Sequence, residues 1–415
     1  MRNESVLVEK IIPGGEGLGK LKNGKKIFFW GVLPGEIVTN YQITKNKSSY
    51  LKTVAINIEN PSPHRVKPKD SCYLSTSPWQ IFDYNCELKT KQDLVVEIFH
   101  EHQINIDTPE IFTDNKDYFY RNKMEYALYW DNETNQIKLA FYKRGSHRKI
   151  PIQNSSIERP EIFQQAQDII NNLNRRGEEA RKYQSLLLRC NQKGEVSGGL
   201  YENRQPHPKF PNLTDTILGQ TYSYSPNGFF QINLPVYEMA LNEIKKHINT
   251  DEVLDLYAGV GTIGLSVAKD KLLTLVEVDK FAFSELERNV IWVGGRAGGT
   301  PAARRRRSST VGETARSGPA QKSNIFAILD KSENVLNYIK SNQTVILDPP
   351  RAGCDKSLIN KLLEVKPKTI IYLSCNPATQ ARDLEILLQH YQIKTVKIFN
   401  FFPHTPHIEN LVVLC

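Results

Sequence analysis

The chain has 415 residues, 40% hydrophobic and 24% charged, with a net charge of +9. This composition supplies an ordinary core and excludes a disordered, collagenous or disulfide-stapled chain. No run of about 18 apolar residues occurs, so no membrane span is expected.

The opening "MRNESVLVEK" lacks the apolar stretch of a secretory leader. Cysteines 72, 86, 190, 354, 375 and 415 are scattered without a C-x-x-C pair. That pattern fits a reducing cytoplasm. The positive charge is uneven: residues 291–322 hold six Arg and one Lys against one Glu, six of the nine net charges. Basicity alone therefore argues only weakly for a nucleic-acid partner.

Residues 1–60 alternate short apolar strands with Gly-rich turns, as in "GGEGLGKLKNGKKIFFWG". A small β-barrel is expected there. "PSPHRVKPKD" (61–70) reads as a linker. Residues 61–215 form a mixed α+β region, with a helix expected near 86–102 and strands near 124–142. From 216 the rhythm becomes helix, strand, Gly-rich turn and helix, repeated with apolar strands. This predicts an α/β, Rossmann-like, doubly wound sheet over 216–415. The stretch 291–322 lacks core-forming residues and reads as a disordered insertion or a sequence artefact. An RNA-contacting basic loop is the alternative.

Four motifs sit where strands of such a sheet end. "VLDLYAGVGTIGLSVA" (253–268) is a strand, a Gly-rich turn and a helix, suited to close approach of a nucleotide-like cofactor. "LVEVDK" places Glu277 at the next strand end, where a carboxylate can accept from both ribose hydroxyls. The third glycine of the dinucleotide pattern is missing, which favours a single adenosine, as in S-adenosylmethionine. "VILDPPRAG" (345–353) ends a strand with Asp348 held by two prolines. "YLSCNPATQARDLEILL" (372–388) puts Cys375 between a strand and a helix amino end, where the dipole is expected to stabilise a thiolate. "FFPHTPHIEN" (401–410) adds Glu409 in crowded surroundings suited to a general base.

Together these groups answer one chemical problem. Carbon 5 of uracil is a poor nucleophile until a thiolate adds to carbon 6. A base must then remove the carbon 5 proton so that the thiolate can leave. The substrate base must be extruded from its stack.

The same motifs resemble those of the RNA 5-methyluridine methyltransferase family over essentially the whole chain except 291–322. "SCNPAT" with "RDL" is similar to its nucleophile motif, and "FPHTPHIE" to its carboxyl-terminal motif. "SPNGFFQINL" (225–234) resembles its F-x-Q-x-N element, and the amino-terminal barrel looks like an OB-like, RNA-binding TRAM domain. The resemblance implies Cys375 as nucleophile and Glu409 as base. It implies an S-adenosylmethionine site lined by Gln231, Tyr257, Thr262, Glu277, Asp348 and Asp330. Asn233, Lys123 and Arg351 are left as RNA-contacting or structural positions. The expected product is 5-methyluridine in tRNA or rRNA, made by a cytoplasmic monomer. A cytosine carbon 5 methyltransferase and a non-catalytic RNA-binding protein are the rivals.

Two departures stand out. Relatives often carry an iron–sulfur cluster on a C-x5-C-x-x-C run, but here Pro78 and Ile81 follow Cys72 in the ligand slots. No cluster is expected. Ala258 also stands in "YAGVG" where relatives often have Cys.

Overall fold

Glycine turns cut the first sixty residues into strands β1 (Val6–Leu7), β2 (Lys10–Ile11), β3 (Gly17–Lys20), β4 (Lys26–Trp30), β5 (Ile37–Asn46) and β6 (Tyr50–Glu59). They form one sheet in the order β1-β5-β6-β4-β3-β2. A side chain at Gly19 would lie 2.6 Å from the Leu7 carbonyl oxygen. The missing Cβ thus lets the sheet curl until its edge strand β1 lies against β3. Inside it Val6, Val8, Ile27, Phe29, Val38 and Leu51 make a small core.

The structure is a computed structural model that describes residues 4–205, 208–294 and 324–415. Of the segment 291–322 singled out above, all but its first four residues lies outside the described residues. The chain divides into two compact units. The first comprises Met1–Ile98, Asn115–Phe210 and Asn400–His407, the second Phe99–Asp114, Pro211–Phe399 and Ile408–Cys415.

Besides the curled sheet, in which β4 and β6 run parallel, the first unit holds a sheet whose pairs are all antiparallel. Its strands are β8 (Lys123–Asp131), β9 (Gln136–Tyr142), β10 (Lys149–Pro151), β11 (Tyr183–Cys190) and β12 (Val196–Glu202). Helix Pro160–Arg175 buries Ile162, Ala166, Ile170 and Leu173, at helical spacing, in the core of this sheet.

The second unit is built on an eight-stranded sheet. Five strands are parallel: β15 (Glu252–Leu256), β16 (Leu272–Glu277), β17 (Ile325–Leu329), β18 (Thr344–Leu347) and β19 (Thr369–Ser374). All residues of β18 and β19 are buried, as expected of strands covered on both faces. β21 (Glu409–Leu414) runs antiparallel between β19 and β20 (Ile393–Phe399), and β7 (Glu110–Phe112) closes the edge. The short hairpin β13 (Leu213–Ile217) and β14 (Gln220–Tyr224) precedes helix Leu234–Lys246.

The order β17-β16-β15-β18-β19-β21-β20-β7 reverses direction between β15 and β18. That is the switch point where open α/β sheets take their ligands.

Two segments cross the sequence-drawn limit at 215/216. Glu110–Phe112 pairs with β20 in the second unit, because its backbone completes that sheet edge. Asn400–His407 joins the first unit, where buried Glu87 accepts from the His404 amide at 2.9 Å and pairs with buried Lys91 at 2.8 Å. Among the described residues no helix is long and apolar enough to cross a membrane.

Tight packing under the switch point is testable. A side chain at Gly264 would meet Asp255 Oδ2 and Leu275 Cδ2, each at 2.7 Å. Gly264→Val should therefore cost about 1–3 kcal/mol by overpacking, read as a lower urea midpoint. A midpoint equal to the parent's would show that this turn has room to spare.

Candidate active site

The turn after β15 needs left-handed backbone: φ is +64° at Tyr257, +57° at Gly259 and +87° at Gly261. A side chain placed on Gly259 would meet nothing within 4 Å, so this backbone stands open to an approaching ligand. At Gly261 it would meet Leu286 Cδ1 at 2.5 Å, so this glycine serves close packing of helix Lys280–Trp292 instead. Buried Asp255 holds the turn from below, its Oδ2 accepting from the Gly264 amide at 2.8 Å.

Glu277, at the end of β16, accepts from the Gly259 amide at 2.8 Å and from the Asp279 amide at 2.6 Å. Each oxygen thus takes one backbone N–H at these distances, and the Val278 backbone is also hydrogen-bonded to this carboxylate. Asp330 follows the neighbouring β17, and its amide donates to the Glu277 carbonyl at 3.1 Å. Its Oδ1 accepts from the Lys331 amide and from Asn334 Nδ2, both at 2.8 Å.

Thr262 starts the helix after the turn, and its side chain is hydrogen-bonded to buried Tyr237. The Tyr257 phenol, raised by burial, is hydrogen-bonded to Ser332 and to the Asp355 backbone. Gln231 and Asn233 are buried just ahead of helix Leu234–Lys246. Among the described residues neither amide atom of Asn233 has a hydrogen-bond partner, and the same holds for Asp255 Oδ1. Buried polar atoms left in this state are expected where a ligand completes the site.

The other half of the site is set by strand register. Ser374, the last residue of β19, pairs with Asn410 of β21. One step further, the antiparallel ladder brings Cys375 opposite Glu409. Gln380 fastens this register from helix Pro377–Leu387. Its Nε2 donates to the Tyr372 carbonyl at 2.9 Å and to the Asn410 carbonyl at 3.2 Å, while its Oε1 accepts from Asn410 Nδ2 at 2.7 Å.

Asn376 caps that helix by accepting from the Ala378 amide at 3.3 Å, and Pro377 suits the first helical position. The turn after β18 is tied to the same place. The Arg351 carbonyl accepts from Asn376 Nδ2 at 2.9 Å and from Thr379 Oγ1 at 3.2 Å. The Arg351 side chain is hydrogen-bonded to Cys375. Buried Asp383 braces the far side, accepting from the Cys354 amide at 3.0 Å and the Tyr372 hydroxyl at 2.8 Å.

The electrostatics are dominated by carboxylates out of water. Burial pushes Asp348 up to about 7, and burial with the Asp348 charge raises Glu409 well above the usual range. Burial pushes Asp255 up to about 8. Cys375 departs from the expectation of a dipole-stabilised thiolate. Burial, then the charges of Glu409 and Asp348, push its thiol up to about 11, and Arg351 only partly opposes them. One helix end cannot outweigh desolvation plus two nearby carboxylates. A cationic ligand placed among these groups would relieve them, which is what the sulfonium of S-adenosylmethionine offers.

Comparison with known proteins bears directly on this arrangement. Residues 321–415 match the family described as tRNA (Uracil-5-)-methyltransferase, and residues 3–63 match the TRAM domain. The chain carries both domains. By that content it is similar to RNA (uracil-5-)-methyltransferases. Proteins described as uncharacterized RNA methyltransferases are similar over nearly their whole length. One from Bacillus anthracis is 26% identical, covering 99% of this chain and 96% of that protein. One from Prochlorococcus marinus is 28% identical, covering 92% and 99%. The solved structure of Pyrococcus abyssi tRNA (uracil-54, C5)-methyltransferase in complex with S-adenosyl-L-homocysteine shares the fold. It is 21% identical, with a TM-score of 0.73 and full coverage of both chains.

Within this chain, Gln231, Asn233, Tyr257, Thr262, Glu277, Asp330, Asp348, Arg351, Cys375 and Glu409 all belong to the second unit. Lys123 belongs to the first, on β8 opposite Arg189 of β11, where burial and that arginine lower it to about 8. The residues present do not suit a four-thiolate cluster. Cys72 is a buried thiol pushed up to about 11 by burial and Asp70, and Ile81 is packed in the interior. Among the described residues no group of three or more His, Cys, Asp or Glu could hold a metal ion.

Gln380, Asp383 and Asn410 lie within the motifs at 372–388 and 401–410, but no role of their own was assigned to them there. Their only trace was polar character at positions that the helix and strand periods assign to the interior.

The raised thiol has a measurable consequence. In cofactor-free protein, alkylation of Cys375 by iodoacetamide should rise about tenfold per pH unit from pH 7 to 10, because the reactive thiolate stays a minor species below about 11. Peptide mass spectrometry follows this one cysteine. A plateau near pH 8.5 would show a thiol of ordinary acidity.

Proposed function

We propose that this enzyme methylates carbon 5 of a specific uridine in tRNA through a covalent Cys375 adduct, with Glu409 as the base. The observation that carries the proposal is the β19–β21 register, which sets a cysteine at the switch-point edge opposite a buried carboxylate. The tRNA substrate is favoured by the description of the matching family, and by the fold shared with the Pyrococcus abyssi enzyme, a tRNA (uracil-54, C5)-methyltransferase.

The cofactor would lie over the open Gly259 turn, held by Glu277, Asp330, Tyr257, Thr262 and Gln231, with Asp348 beside the reacting atoms; when bound it supplies an electrophilic methyl group. The protein's own groups carry the rest. The Cys375 thiol must lose its proton, and Asp348, raised to about 7 by burial, is matched to accept it, which leaves Glu409 free to act as base later. Arg351 stabilises the thiolate by its hydrogen bond. The thiolate adds to carbon 6 of uracil and drives electron density to carbon 5 and the carbonyl oxygen. Asn233, buried with an unused amide, is suited to hold the edge of the base.

Once carbon 5 bears its methyl group, Glu409 removes the remaining carbon 5 proton. The electrons return, the carbon 6–sulfur bond breaks and the thiolate leaves. Burial raises Glu409, which strengthens it as a base and keeps bulk water from the adduct.

Nucleoside analysis of a tRNA transcript after incubation with enzyme and S-adenosylmethionine should yield 5-methyluridine. Cys375→Ala should reduce turnover by at least about 1000-fold while leaving S-adenosylmethionine affinity within about twofold of the parent. Glu409→Gln should accumulate a denaturant-stable protein–RNA species bearing the new methyl group. 5-Methylcytidine as product would replace this reading with the cytosine one. Loss of cofactor affinity together with turnover in Cys375→Ala would refute the division of roles.

A further inference from the structure

In the first unit, strands β9 and β10 are joined by "KRGSHR" (143–148), a tip with four basic side chains and no acidic one. The tip is closed by its own bonds. The Lys143 amide donates to the Arg148 carbonyl at 2.8 Å, and the Ser146 amide to the Lys143 carbonyl at 3.0 Å. The Arg148 amide donates to Ser146 Oγ at 3.2 Å.

It is also seated on the amino-terminal TRAM sheet. The Arg144 guanidinium lies 4.0 Å from the centre of the Trp30 ring, and its Nε donates to the Leu74 carbonyl. Lys143 Nζ donates to Gln42 Oε1 at 3.3 Å. A side chain at Gly145 would meet Thr44 Cγ2 at 2.7 Å, so the glycine lets the tip close onto β5. Arg144 is consumed in this anchoring; Lys143 gives one hydrogen bond to the neutral Gln42, and Arg148 is exposed. Gly145 thus brings Lys143 and exposed Arg148 to the stretch of β5 that bears exposed Lys45 and, just beyond it, exposed Lys47. On the same sheets Lys52 is paired with Glu16 and Lys138 with Asp131, whereas among the described residues no ion pair engages Lys45, Lys47, Lys143 or Arg148.

We infer that the hairpin tip 143–148 and the adjoining end of β5 form one docking surface for the phosphodiester backbone of the RNA substrate, extending the TRAM domain's contact onto the neighbouring sheet. Like charges that lack ion-pair partners repel one another, and a polyanion removes that cost while releasing its counterions. An anchored tip presents its cations without ordering a loop on binding, so less of the interaction is lost to entropy. The surface carries no base-reading function: its cations set affinity and position.

This inference rests on the reading of the chain as an RNA-modifying enzyme, and the test separates the two. Full-length parent and a Lys143→Gln/Arg148→Gln variant are titrated with a fluorescent, unmodified tRNA transcript between 50 and 300 mM KCl. Each lost phosphate contact lowers the slope of log affinity against log salt by about 0.7–0.9. The double variant should therefore show a slope smaller by about 1.5 and a Kd about tenfold higher at low salt, with S-adenosylmethionine affinity unchanged. A variant whose slope and Kd match the parent's overturns the inference while leaving the RNA-substrate reading intact. A parent that does not bind tRNA at any salt overturns both.

Discussion

The antiparallel pairing of β21 with β19 is the constraint on which the site depends. A purely parallel sheet would carry its strand ends to one edge in a single direction. Inserting β21 antiparallel next to β19 instead brings the start of one strand to the finish of another. Glu409, the first residue of β21, therefore lies across from Cys375, the residue after β19. Two residues far apart in chemistry and 34 positions apart in sequence become neighbours through backbone hydrogen bonds alone. The Gln380–Asn410 exchange of side-chain hydrogen bonds resists slippage of that register. A one-residue slip would turn the carboxylate to the opposite face of the sheet.

The same edge gathers Asp255, Glu277, Asp348 and Glu409, with Arg351 as the cation that acts on Glu409 and Cys375. Without ligand this is an unfavourable arrangement, visible as carboxyls held up and a thiol held near 11. Burial holds Asp348 near 7 and Asp255 near 8, where protons exchange readily around neutrality. The Cys375 thiol is consequently quiet in the free protein. A thiolate generated only when the site is filled would limit oxidation and off-target alkylation, since reactivity follows thiolate fraction.

Much of this was legible in the sequence because local patterns carry it. Apolar β-branched runs marked β18 and β19, the glycines of "YAGVG" marked a left-handed turn, and Asp348 and Cys375 were placed at strand ends. The curled amino-terminal sheet followed from alternating strands and Gly-rich turns. Non-local features were not legible. The state of the Cys375 thiol depends on burial and on carboxylates from two other strands, which no local dipole argument includes. The assignment of Glu110–Phe112 to the second unit depends on an edge left open by β20, some 285 residues away. Gln380 and Asp383 looked like ordinary polar helix residues until their partners at the strand ends were known.

The central claim is that Cys375 bonds covalently to carbon 6 of the target uridine. The most direct measurement offers the enzyme and S-adenosylmethionine a tRNA transcript made with 5-fluorouridine. Fluorine on carbon 5 cannot leave as a proton does, so the step assigned to Glu409 is blocked. A one-to-one protein–RNA adduct that survives denaturant, maps to Cys375 by peptide mass spectrometry and vanishes in Cys375→Ala is the expected result. Turnover of ordinary tRNA by the same preparation, with no adduct on the fluorinated transcript, would contradict covalent catalysis by this cysteine.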